Sequence, residues 1–103
     1  MDTTVSGPPS NQRLVFLEAL GLTMRERYPE VGARISQFKA GLPPMLRLAW
    51  HDATEDVGCD LSNEGWAFVW GFDPRNVIGP AGDLVSASFA VANVLGIRRH
   101  PDR

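Results

Sequence analysis

From Val57 to Phe72 apolar residues recur at every second position. Trp66, Phe68, Trp70 and Phe72 form one series, and Ala67 and Val69 occupy the places between them, so a strand here is apolar on both faces. Such a strand belongs inside a sheet. Val57, Cys59 and Leu61 alternate in the same way before Ser62-Asn63-Glu64-Gly65, a run of turn formers, and the whole segment reads as a β-hairpin.

Elsewhere the rhythm changes. Leu14, Leu17, Leu20, Gly21, Met24 and Tyr28 are spaced by three or four residues, which predicts an amphipathic helix capped by Ser10 or Asn11 and stopped by Pro29. Val31, Ala33 and Ile35 alternate with Gly32, Arg34 and Ser36, predicting a first strand to about Lys39, with Phe38 out of phase as at a bulge or an early strand end. Gly41 and Pro43-Pro44 then turn the chain. Met45 to Asp52 alternates again, with Leu46, Leu48 and Trp50 on one side and Met45, Arg47, Ala49 and His51 on the other. Asp52-Ala53-Thr54-Glu55-Asp56 is expected as an acidic turn, and Asn76-Val77-Ile78 as a short edge strand. Asp83 is placed to cap a last helix whose face is Leu84, Ala87, Ser88, Val91 and Leu95, widened by Val85, Phe89 and Ala92 and closed by Gly96.

The expected fold is therefore α+β. An N-terminal helix, an antiparallel meander of three to four strands and a C-terminal helix follow in order, with both helices on one face of the sheet. Residues 1–9 are expected as a disordered terminus, 10–97 as a single domain and 98–103 as a polar tail. A chain of 103 residues supports one core.

Charge narrows the functions. The net charge is −2 and the basic residues are dispersed apart from Arg98-Arg99, so no phosphate-neutralising surface is expected, and nucleic acid is not an expected partner. No apolar stretch approaches the roughly 20 residues of a membrane span, and no leader-like segment opens the chain, so a cytoplasmic protein without a membrane partner is expected. Cys59 is the sole cysteine, without company for a disulfide or a thiolate zinc site; between Val57 and Leu61 it reads as a small buried hydrophobe. Asp52, Glu55, Asp56 and Asp60 with His51 match no calcium-loop spacing and read as a solvated acidic stretch, so no metal and no cofactor are expected.

Residues 45–53, Met-Leu-Arg-Leu-Ala-Trp-His-Asp-Ala, resemble the distal active-site segment of class I haem peroxidases. That resemblance implies a helix on which Arg47, Trp50 and His51 share a face above a haem, and with it a small haem- or redox-linked enzyme. It also implies a proximal histidine with a buried carboxylate, and the only other histidine is His100, in a tail of Arg and Pro. Strand alternation instead sets Arg47 and His51 on one face and Trp50 on the other.

Cys59, Trp66-Ala67-Phe68-Val69-Trp70, Ile78-Gly79-Pro80, Asp83 and Val94-Leu95-Gly96 together resemble a pattern in small uncharacterised α+β proteins of actinomycetes, over residues 12–97. The resemblance implies an accessory or regulatory partner rather than a stand-alone enzyme. The first expectation is thus a non-enzymatic module that binds a protein partner or itself, as a homodimer, through Trp66, Phe68, Trp70, Phe72 and Phe89. No charge lies between Leu84 and Ile97, so the last helix is expected either to be sandwiched in the core or to leave apolar surface for a partner.

Overall fold

A computed structural model describes residues 9–37 and 40–97. The expectations for residues 1–8, for Phe38 and Lys39, and for the tail 98–103 lie outside the described residues. Helix α1 spans Pro9–Arg27, starting one residue before the expected cap, with proline in its first turn, where it has no intrahelical N–H to lose. Leu17, Leu20 and Met24 make its buried stripe. The Tyr28 N–H donates to the Met24 carbonyl at 2.7 Å before Pro29 ends the helix.

Five strands follow: β1 (Gly32–Ser36), β2 (Met45–Trp50), β3 (Ala53–Ser62), β4 (Gly65–Trp70) and β5 (Val77–Pro80). They form one antiparallel sheet in the order β1-β2-β3-β4-β5, the expected meander with a fifth strand added at its edge. Helix α2 (Leu84–Leu95) completes the chain.

Register decides which side chains meet. Ile35 lies across from Leu46, Leu46 from Val57, Val57 from Trp70, and Cys59 from Phe68, and Ile78 of β5 packs against the same cluster, so every strand adds apolar residues to one continuous face. Leu17, Leu20 and Met24 of α1 and Ala87, Val91 and Leu95 of α2 pack on that face in a single cluster, with Phe68 wholly enclosed and Trp66, Trp70 and Trp50 around its margin. Both helices therefore sit on one side of the sheet. They run the same way: α1 begins beside Trp66, the Ala81 N–H ahead of α2 donates to the Trp66 carbonyl, and Gly96 closes α2 near the Trp50 ring.

Helix α2 is capped as its sequence predicts. The Asp83 carboxylate accepts from the Ser86 N–H at 3.1 Å. Gly96 takes φ 94°, the left-handed conformation glycine reaches without strain, and the Ile97 N–H donates back to the Ala92 carbonyl at 2.9 Å.

Strand β1 ends at Ser36, short of the expected Lys39, and three later boundaries also differ from expectation. Strand β4 ends at Trp70, because Gly71 adopts φ 58° and swings its carbonyl over Gly58; Phe72 leaves the alternation and does not extend the aromatic row. The acidic turn shrinks to His51-Asp52, with Thr54, Glu55 and Asp56 inside β3. Arg47 stands directly across from Asp56 and donates from Nε to Oδ1 at 2.8 Å and from a terminal nitrogen to Oδ2 at 3.0 Å, so the carboxylate has a fitted partner within the sheet. Strand β5 starts one residue later than the expected 76–78 and ends two residues later, past a register shift between Phe68 and Val69.

Candidate functional site

The β-strand between Met45 and Trp50 settles the geometry of Arg47, Trp50 and His51. Arg47 points to the face away from the helices, where hydrogen bonding to Asp56 and its charge hold the guanidinium pKa above its ordinary value. Trp50 points to the helix side, against Gly96 at the end of α2. His51 lies exposed in the turn at φ 53°, its ring edge-on to Trp50 with centroids 4.2 Å apart. The sheet separates Arg47 from Trp50, so the three side chains share no face and frame no slot for a haem.

The acidic residues are dispersed too. Asp56 is engaged by Arg47, and Asp60 lies toward the far end of β3, 3.6 Å from Arg13. Among the described residues no three His, Cys, Asp or Glu side chains stand close enough to hold a metal ion.

Cys59 is 2% exposed on the helix-covered face. Burial, reinforced by Asp60 and opposed by Arg13, pushes its thiol pKa up to about 12. A thiol so raised stays protonated at neutral pH and is a poor nucleophile. Its carbonyl accepts from Arg13 Nε at 2.6 Å, which locks the start of α1 onto β3.

The five aromatics expected at a partner surface do not form one. Phe68 is 0% exposed at the centre of the core and is withdrawn from any contact surface. Trp66 is half-buried, flanked by Phe16 with ring centroids 6.0 Å apart and by the Arg13 guanidinium 5.5 Å from its ring. Trp70 is partly buried against the core. Phe72 and Phe89 are both exposed, but one follows Gly71 off the sheet and the other is on α2.

A different apolar surface emerges on α2. Val85 and Phe89, one turn apart, are 51% and 57% exposed on one shoulder of the helix, and Val94 is 51% exposed on the other. The helix is thus packed on one side and not sandwiched in the core, and its outer side carries Ser86, Ala90 and Asn93 between the two apolar shoulders. The Arg27 guanidinium at the end of α1 lies 5.6 Å from the Phe89 ring centroid and gives this shoulder a cationic rim. Val94 had no place in the periodic face; the uninterrupted lack of charge from Leu84 to Ile97 is the sequence signal that reaches it.

Beside α1 a groove of about 370 Å³ runs along β1, with Ala33, Ile35, Gly21 and Leu22 in its walls and Glu18 and Arg25 at its rim. No helix among the described residues is long and apolar enough to cross a membrane. Compared with known protein families, curated proteins and solved structures, the chain matches none.

Proposed function

We propose that this chain is a non-enzymatic accessory or regulatory module that works by binding protein, with the outer side of α2 as its docking surface. One observation carries the reading: Val85, Phe89 and Val94 stay more than half exposed on a helix that has no charged residue to keep its outer side in water. Aromatic and aliphatic side chains held on a rigid, packed helix lose little entropy on binding, which suits them as anchors. Arg27 over Phe89 selects the partner's chemistry, namely an apolar segment carrying a carboxylate within reach of the guanidinium.

The dispersal of the titratable side chains supports the same reading. Arg47 is paired with Asp56, Asp60 lies near Arg13 and Cys59 is buried, so among the described residues these side chains serve structural contacts.

A photoreactive amino acid at position 89 tests it in cells. The expected result is one discrete protein adduct, lost when Val85→Asp is added and absent when the probe stands at Thr54 on the opposite face of the sheet. Equal labelling at positions 89 and 54, or no adduct at either, would overturn the reading.

A further inference from the structure

Among the described residues the sheet ends in two edge strands, and they differ. Strand β5 has four residues, ends in Pro80 and pairs with β4 through a register shift, all features that discourage another strand from joining. Strand β1 has five residues in unbroken register with β2, contains no proline, and carries Arg34 as its only charge. Among the described residues its outer row of backbone N–H and C=O groups has no strand beside it. That edge also opens onto the groove under α1, so backbone donors and acceptors and an apolar wall lie side by side.

We propose that a second copy of this chain docks here, the two β1 strands pairing antiparallel about a two-fold axis at Ala33 to join the two five-stranded sheets. The inference deepens the association function and rests on it, supplying the surface for self-association and leaving α2 to another partner. Charge complementarity chooses the occupant. Glu18 and Arg25 are both exposed, both line the groove, and lie seven residues apart on the same side of α1, about 10 Å along the helix. A two-fold axis passing between them brings Glu18 of each copy to Arg25 of the other, twice per dimer. Leu22, 52% exposed, then meets its own counterpart at the centre.

The strand and the helix agree on where that axis falls. Gly21 packs over Leu46 and Ala33, the place of a Cβ on it 3.1 Å from a Leu46 methyl and 3.8 Å from the Ala33 Cβ, so the middle of the Glu18–Arg25 span lies beside Ala33, the second residue of β1. With Ala33 facing its own copy, Val31 faces Ile35 across the new seam, keeping the helix-side face apolar. Gly32 faces Arg34 on the other side. Centring one residue later would set Arg34 against Arg34, a like-charge pair directly opposed, and that register is disfavoured.

A charge exchange tests the proposal by analytical ultracentrifugation of the full chain. The wild type is expected to sediment as a dimer. Glu18→Arg alone places four cations across the seam and Arg25→Glu alone four anions, and each is expected to weaken dimerisation by ~10-fold or more at low salt. Mixing the two single variants restores the complement and is expected to give a heterodimer; the double variant E18R/R25E is expected to dimerise by itself. Both positions are exposed, and circular dichroism verifies that each variant is folded. A dimer unaffected by either single change, or single variants that fail to combine when mixed, would overturn this surface while leaving α2 docking intact. A wild type monomeric up to high concentration would overturn self-association itself, and adducts at position 89 report on α2 independently.

Discussion

Phe68→Ala is expected to lower stability by about 3–5 kcal/mol, the usual loss for a phenylalanine removed from a packed core. Its ring has no exposed surface and lies between the two helices and the centre of the sheet, in the same cluster as Leu17, Leu20, Val91 and Leu95. Neighbours fixed on three separate elements cannot close together to fill the space, so the upper part of the range applies. A domain of this length has roughly 5–15 kcal/mol in total, and the variant is expected to be marginally folded at 37 °C. Urea denaturation is the measurement; a midpoint within the error of the wild type would show that Phe68 is not central to the core.

Gly58→Ala is the second large effect, and its cause lies on the other face of the sheet. A Cβ at Gly58 would stand 2.5 Å from the Gly71 carbonyl oxygen, a backbone atom held where the Gly71 N–H donates to the Asp56 carbonyl at 2.8 Å. The turn must move or the strand must bend, and overpacking of this kind costs about 1–3 kcal/mol. Gly21→Ala makes the contrast. There the nearest atom is a Leu46 side-chain methyl at 3.1 Å rather than a backbone oxygen at 2.5 Å, and alanine gains about 1 kcal/mol of helix propensity. The two substitutions are expected to differ by at least ~1 kcal/mol in the same denaturation experiment. Equal effects would mean that Gly71 does not hold its place over Gly58.

Much of this architecture was legible in alternation and capping chemistry. Leu46, Leu48 and Trp50 were read onto one strand face and Arg47 onto the other, and the register bears this out. Asp83 and Gly96 marked the ends of α2 because a carboxylate at an N-cap and a left-handed glycine at a C-cap are local devices that need no tertiary context. What failed was decided by contacts distant in sequence. Glu55 and Asp56 looked like a solvated turn, since nothing in the local sequence states that Arg47 will stand across from Asp56. Phe72 continued the period of Trp66, Phe68 and Trp70, but the conformation of Gly71, which period alone does not encode, ended the strand first.

The candidate surface was half legible. Phe89 was named and is exposed, while Phe68 was named with it and is buried, because a strand apolar on both faces does not say which face its helices will cover. The uncharged last helix left two outcomes open for the same reason. Composition records that no charge is needed on its outer side, but only the placement of α1 beside it determines that Val85, Phe89 and Val94 remain in solvent.

The proposed function requires that these three side chains serve docking and add little to the fold. Its most direct test is the denaturation free energy of the triple variant V85S/F89S/V94S, measured at the same protein concentration as the wild type. Exposed substitutions away from the core usually change stability by no more than about 0.5 kcal/mol each. The three together are expected to cost about 1.5 kcal/mol or less, with the native circular dichroism spectrum retained. A loss above about 3 kcal/mol would assign the three residues to the core and contradict the proposed docking surface.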